Sequence, residues 1–380
     1  MDKYYAAIDL GTTTVEVSLL QADGSVVAKH GFLNPQKKYG SDVISRVTWQ
    51  IRHSEDPEIT DCVAESIRDA LEKMLSWHKG TFPGDIRKAV VTGNTAMAAI
   101  FMGYYAGSLG HAPFLLPYDE TEDVDLSGIP CTVPAPVSAF LGSDSVGGAW
   151  ALPLGEDELL MDLGTNGEML LRHDGVIHGA TAACGPAFEN CTRAQGIYGS
   201  TMLAAIGRLL KRKKLPADGT LPQDVAERGI YDDGTVPEPG KEKAAGKMLI
   251  TPKILQEVQM AKAAIRATFS MLCRRAGVEE KNLKSIRLAG GFGFHMSLRD
   301  AVTLGILPEE LSERVKIEGN TSLLAAEKMV LEGVEEYERF REKVVTHRFG
   351  GDTEYEELFY QAIPYAIQLQ GPKAASYDES

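Results

Sequence analysis

The phrase Asp-Leu-Gly-Thr occurs twice in this chain, at Asp9–Thr12 and again 153 residues later at Asp162–Thr165. An apolar run that reads as a strand precedes each copy (Tyr4–Ile8, Glu158–Met161), and a second strand-like run follows (Val15–Leu20, Glu168–Leu171). A hairpin dipeptide comes next in both, Asp23-Gly24 and Asp174-Gly175. A strand, a tight turn of glycine and hydroxyl residues, and another strand can present backbone N–H groups to a phosphate. The Asp ending the first strand can face a divalent cation through water. Two such turns facing one another imply a nucleoside triphosphate clamped from both sides, and hence an ATP-binding cleft between two related halves.

The correspondence extends further. Lys88–Val91 is a strand candidate entering Thr92-Gly93-Asn94-Thr95 and the helix-like Ala96–Phe101; Ser285–Leu288 enters Ala289-Gly290-Gly291-Phe292-Gly293 in the same way. Gly142-Ser143-Asp144 opens an apolar helix through Ala151, and Gly319-Asn320-Thr321 opens another through Val330. The second half is longer between its matching points, which fits a polar insertion around Lys211–Gly246. An internal repeat with one surface excursion accounts for all four matches. The expected division is 1–155 and 156–380, with the insertion near 211–250.

Alternating strands and helices indicate an α/β protein. Ile254, Val258, Ala261, Ile265, Phe269 and Leu272 recur at helical spacing, predicting a helix over about 251–276 that stops at Gly277. Val63, Ile67, Ala70, Met74 and Trp77 form a similar core stripe. Because each half begins with hairpin-linked strands, its sheet is expected to be mixed.

The formal charge of −14 disfavours nucleic acid as a partner, and Lys211-Arg212-Lys213-Lys214 reads as a solvated loop. No apolar stretch approaches a membrane span, and Met1-Asp2-Lys3 leads straight into a strand, so the expected location is cytoplasmic, away from membranes. Cys62, Cys131, Cys184, Cys191 and Cys273 contain no Cys-x-x-Cys, and none of the histidines has metal-ligand spacing with another His or Cys.

A candidate site follows. Asp9 and Asp162 would orient Mg²⁺ and act as catalytic groups, and Gly11, Thr12, Thr13, Gly164, Thr165 and Asn166 would donate hydrogen bonds to the β- and γ-phosphates. Gly290 and Gly291 would let the backbone approach the adenosine. Asp144 is the candidate for orienting the attacking water, with Glu168 and Glu189 as alternatives.

With these turns, the Leu288–Gly293 segment and the two connecting helices, the chain resembles the superfamily of actin-like ATPases, sugar kinases and heat-shock chaperones. That resemblance implies two ribonuclease-H-like subdomains, with mixed five-stranded sheets, closing on Mg-ATP. The runs FLNPQKKYGSDVISRV, VTGNTAM, APFLLP, LLMDLGTNGEM, ACGPAFE, QMAKAAIRA and LAGGFG are similar to those of the reductive activators of corrinoid proteins, as are LGILPEEL, GNTSLLAA and HRFGGDTEYEELF. This narrower resemblance spans about Tyr4 to Tyr365. It implies ATP-assisted reduction of an inactive Co(II) corrinoid, on a methyl-carrying protein, to Co(I).

Members of that family usually carry an iron–sulfur module, whereas here the ATPase begins at about Tyr4 and nothing after Gly333 contains a cysteine. The resemblance therefore implies an ATPase portion without a cluster of its own, served by a separate ferredoxin-like electron donor, and it suggests a homodimer. Asn190-Cys191-Thr192-Arg193 also replaces the family's small-residue continuation. Two other readings stay open: a nucleotide-dependent module that binds or remodels a partner without a redox step, and a small-molecule kinase. A resemblance to activators of 2-hydroxyacyl-CoA dehydratases would draw on Cys131 and Cys184 as cluster ligands.

Overall fold

A strand whose residues are nearly all buried must be covered on both faces. This is the pattern of β1 (Tyr4–Leu10), whose only half-exposed positions are Tyr5 and Asp9. The computed structural model describes residues 4–54, 56–77, 85–164, 166–185, 199–238, 246–290 and 296–365. After β1 come β2 (Thr14–Leu20), β3 (Val26–Leu33), β4 (Ile86–Gly93), β5 (Glu122–Leu126) and β6 (Ile129–Val133), in one sheet of order β3-β2-β1-β4-β6-β5. β2 pairs antiparallel with both β1 and β3, while β4 runs parallel to β1 and to β6. The register sets Asp9 opposite Glu16 on one side and Thr92 on the other.

The later strands are β7 (Glu158–Leu163), β8 (Gly167–His173), β9 (Val176–Ala182), β10 (Ile230–Tyr231), β11 (Leu249–Ile250), β12 (Ser285–Ala289), β13 (Val315–Gly319) and β14 (Val344–His347). Six of them form a second sheet of order β13-β12-β7-β8-β9-β14. The five strands β3-β2-β1-β4-β6 correspond in order to β9-β8-β7-β12-β13, so the repeat in sequence is a repeat in topology. Each sheet has six strands rather than the expected five. In the first, β5 doubles back on β6 through Ser127 and Gly128, both at positive φ, and its acidic Glu122–Asp125 run marks a protected edge. In the second, the short β14 adds in parallel beside β9.

The chain divides into two compact units, one formed by Met1–Leu160, Glu168–Thr181 and Glu318–His347, the other by Met161–Gly167, Ala182–Ile317 and Arg348–Ser380. In the first, Ile8, Leu10, Val15 and Val17 pack with Val63, Ile67, Leu71 and Met74 of the Glu58–Ser76 helix. Trp77, read as part of that stripe, is 54% exposed instead, because the helix ends at Ser76 and Trp77 is its cap. The Ser143–Ala151 and Thr321–Glu332 helices approach closely: a Cβ added at Gly148 would lie 2.6 Å from Thr321 Oγ1, and one at Gly147 would lie 2.9 Å from Ala325 Cβ.

In the second unit the Pro252–Ala276 helix is capped by Thr251 and stopped by Gly277 at φ 86°, and it buries the predicted stripe. Lys262 is buried on the same helix, where its ammonium donates to the Ala362 and Pro364 carbonyls and burial pulls it down to about 7. The segment read as a polar excursion is more than a loop. It buries Leu215, Leu221, Ile230 and Tyr231, and β10 pairs antiparallel with β11. Residues 211–214 are exposed. Among the described residues no helix is long and apolar enough to cross a membrane.

Candidate functional site

The Asp9 turn is shaped from behind. Gly11 is required sterically, since a Cβ there would lie 2.5 Å from the Thr14 carbonyl oxygen. All three carbonyls of the turn accept hydrogen bonds: Gly11 from Asn34 Nδ2 at 2.9 Å, Thr12 from Arg46 Nη2 at 2.7 Å, and Thr13 from the Asn34 N–H at 2.9 Å. A planar trans peptide aims its N–H opposite its C=O. Tying these carbonyls back therefore turns the N–H groups of Thr12, Thr13 and Thr14 to the other side. Asn94 Nδ2 also donates to Thr12 Oγ1 at 3.1 Å.

Arg46 is fully buried on the Val43–Arg52 helix, and its Nε donates to the Gly40 carbonyl at 3.0 Å while Nη1 lies 3.1 Å from Met97 Sδ. Neither Asn34 nor Arg46 was singled out as a site residue from sequence. The signal available for Arg46 was its place between Val43 and Val47, on the face that a helix starting at Asp42 turns toward the core.

Asp9, near the end of β1, lies within reach of the charges of two other carboxylates, Asp144 and Glu16. Its Oδ1 accepts from Ser322 Oγ at 2.7 Å and its Oδ2 from Asn320 Nδ2 at 2.8 Å; Asn320 Nδ2 also reaches Glu16 Oε2 at 3.0 Å. Burial, chiefly, pushes the Asp9 carboxyl up to about 7; the Ser322 and Asn320 hydrogen bonds oppose the rise, and the charges of Asp144 and Glu16 add to it.

Asp144 stands in the first turn of the Ser143–Ala151 helix, where burial raises its carboxyl against the hydrogen bonds it accepts, one of them from the Ser145 N–H at 2.7 Å. Gly142 makes this helix start possible, because a Cβ there would lie 2.5 Å from the Gly93 carbonyl oxygen. A partly buried set of carboxylate and hydroxyl oxygens with excess negative charge fits a hard divalent cation such as Mg²⁺.

In the second unit, Asp162 ends β7, and the Gly164 N–H donates to the Asn166 carbonyl at 3.0 Å, which closes the turn. Gly290 has φ 82°, and a Cβ there would lie 2.3 Å from Asp162 Oδ1 and 2.6 Å from the Leu163 carbonyl oxygen. The structure thus gathers Asp9, Gly11, Thr12, Thr13 and Asp144 in the first unit. Asp162, Gly164, Asn166 and Gly290 fall in the second. Thr165 and Gly291 lie outside the described residues, as do Glu189 and Cys191. Glu168 is half-buried at the start of β8.

Burial pushes the Cys131 and Cys273 thiols up to about 12, which disfavours the thiolate a metal or cluster needs. Among the described residues, the one group of three potential ligands is Glu156, His173 and Asp174, with no cysteine. Sequence spacing also missed a histidine pair: His178 on β9 and His347 on β14 are stacked, with Nδ1 and Nε2 3.0 Å apart.

Comparison with known proteins gives a consistent result over the length of the chain. A family model described as the RACo middle region matches residues 4–157, and one described as the C-terminal domain of RACo, the ASKHA domain, matches 156–192 and 189–372. The corrinoid activation enzyme RamQ of Eubacterium limosum is 28% identical over 374 residues, covering 83% of this chain and 62% of that protein. The [Co(II) methylated amine-specific corrinoid protein] reductase of Methanosarcina barkeri is 25% identical over 397 residues, covering 87% of this chain and 70% of that protein. A solved reductive activator for corrinoid, iron–sulfur protein superposes with a TM-score of 0.78 at 24% identity, covering 96% of this chain and 66% of that one. The fold is the α/β fold of the actin-like ATPases. The chain spans less than two thirds of the length of RamQ and of this solved activator.

Proposed function

The chain belongs to the RACo family, the reductive activators of corrinoid proteins, and we propose that it is an ATP-dependent activator that assists the one-electron reduction of Co(II) to Co(I) on a corrinoid methyl-carrier protein. The electron comes from a ferredoxin-like protein, and the working form is a cytoplasmic homodimer. One observation supports the nucleotide part: the Asp9 turn has its carbonyls held by Asn34 and Arg46, and the Asp9 carboxylate beside it is raised by burial and by the charges of Asp144 and Glu16. Such a turn offers N–H donors to phosphate oxygens and carboxylates to a hydrated Mg²⁺.

In this reading Thr12 and Thr13 donate to the β- and γ-phosphates beside Gly11, and Thr165 and Asn166 do so from the second turn, where the Gly164 N–H already donates to the Asn166 carbonyl and closes the turn. Asp9 and Asp162 hold water around the cation. Gly290 and Gly291 admit the adenosine, and Asp144 orients the attacking water. Closure on Mg-ATP favours a state docked to the corrinoid protein, and hydrolysis releases that state.

The test is the visible spectrum of a genomically neighbouring Co(II) corrinoid protein, mixed anaerobically with this protein, Mg-ATP and a low-potential reductant. ATP-dependent appearance of the Co(I) spectrum is the expected result. Binding of ATP with no conversion of any such corrinoid protein would replace this reading by that of a nucleotide-dependent partner-binding module.

A further inference from the structure

Both oxygens of the Asp9 carboxylate are held by residues from the start of one helix, more than 300 positions away in sequence. We propose that Asn320 and Ser322 are positioning residues, which fix the orientation in which Asp9 meets a hydrated divalent cation and tie that carboxylate to the Thr321–Glu332 helix. The proposal rests on the reading of Asp9 as part of the Mg-ATP site.

Asn320 uses its whole amide. Its Oδ1 accepts from the Leu323 N–H at 2.8 Å, which caps the helix, and its two Nδ2 protons go to Asp9 Oδ2 and Glu16 Oε2. Capping alone explains the first bond, and Ser, Thr or Asp would serve for it. Capping does not explain the bridge between two carboxylates. Nor does it explain Ser322, which lies beyond the cap and donates to Asp9 Oδ1.

The Ser322 hydroxyl also lies 2.9 Å from Thr92 Oγ1, a fully buried hydroxyl that has the Ser322 and Ile8 carbonyls within reach as well. Thr92 is the residue opposite Asp9 on β4, so the chain of hydrogen bonds closes on the strand pair that carries Asp9. An ionised carboxylate offers about four lone-pair sites. Asn320 and Ser322 occupy one on each oxygen, which leaves the others for water on a cation.

The same helix touches the helix of Asp144 through the Gly147 and Gly148 backbone, at distances that leave no room for a Cβ. One rigid helix pair thereby carries Asp144 and holds Asp9. A change in the ligation of Asp9 would be felt at the helix start and could be passed to its neighbour.

Ser322→Ala removes the donor to Oδ1 and leaves the cap, whereas Asn320→Ser keeps a capping acceptor but is too short to bridge Asp9 and Glu16. ATP affinity is measured by calorimetry across a Mg²⁺ series and in EDTA, with the melting temperature of the nucleotide-free protein as a control. The expected result is that each variant needs about tenfold more Mg²⁺ for half of the metal-dependent gain in ATP affinity, the effect of losing one hydrogen bond to a charged group. Affinity in EDTA stays as in the parent, and the melting temperature falls only by the loss of a hydrogen bond to a partly buried carboxylate, which shows that each variant is folded. Equal weakening with and without Mg²⁺ would reduce the two residues to structural parts, and an unchanged Mg²⁺ requirement would overturn the proposal. Asp9→Asn separates this failure from that of the site itself: if it too leaves the Mg²⁺ requirement unchanged, Asp9 does not face the cation.

Discussion

Arg46 Nη2 donates to the Thr12 carbonyl at 2.7 Å, so a fully buried guanidinium sits directly behind the Asp9 turn. Its Nε serves the Gly40 carbonyl at the same time. A planar fork can reach two acceptors in fixed directions, and a lysine ammonium on a flexible stem cannot reproduce that geometry.

Arg46→Met should leave both carbonyls short of a donor inside the core and lower the unfolding free energy by about 2–4 kcal/mol. Arg46→Lys should recover only part of the loss. Urea denaturation measures the first effect. Nucleotide titration should also show weakened ATP binding in both variants, because the Thr12–Thr13 peptide is free to rotate. Full ATP affinity in Arg46→Met would separate this arginine from the phosphate turn.

The carboxyls of Asp9 and Asp144 are both raised by burial, and the consequence for stability has a definite sign. An acid whose pKa is raised on folding binds more protons in the folded than in the unfolded protein between its two pKa values. Stability from Asp9 is therefore fully present at pH values below about 3.8 and is lost as pH rises toward about 7. Other acids, such as Asp233 and Asp42, are lowered and act in the opposite direction, so the diagnostic quantity is a difference between variants.

Asp9→Asn cannot ionise. Relative to this variant, the metal-free parent should lose melting temperature between pH 4.5 and pH 7.5, and millimolar Mg²⁺ at pH 7.5 should restore part of it. Parallel melting curves for the two proteins across this range would show that Asp9 carries no such burden.

The parts of this architecture written locally were legible in the sequence. The strands around Asp9 and Asp162 lie where apolar runs and the duplicated turn place them. The Pro252–Ala276 helix begins at the Thr251 cap and stops at Gly277 as its stripe predicts. Elements with weak local signals were missed. Glu122–Leu126 reads as an acidic stretch and becomes a strand only because Ile129–Val133 pairs with it, and Val344–His347 is too short to announce itself.

The site residues absent from the sequence reading share one cause. Asn34, Arg46, Asn320 and Ser322 act on a turn far from them in the chain, through contacts that exist only after β1 is enclosed. Local periodicity could flag Arg46 as a charge on a core face. It could not say that Thr12 was its partner.

Gly290 and Gly164 separate folding from ligand binding in the second unit. At Gly290 the backbone has φ 82°, where a side chain is strained, and a Cβ would strike Asp162 Oδ1 and the Leu163 carbonyl. Gly290→Ala should therefore cost about 1–2 kcal/mol in backbone strain and further stability as Asp162 is pushed aside, with ATP binding falling in step. At Gly164 none of the described residues lies within 4 Å of the position a Cβ would take. Gly164→Ala should melt within about a degree or two of the parent, the shift of a change below about 0.5 kcal/mol. If a phosphate sits beside Gly164, that added methyl group will still weaken ATP about tenfold or more. Calorimetric ATP titrations and thermal melts on the two variants give four numbers. Weak ATP binding with an intact fold in Gly164→Ala places the phosphate at this turn. Unchanged ATP binding in Gly164→Ala would move the phosphate elsewhere and leave Gly290 with a purely structural role.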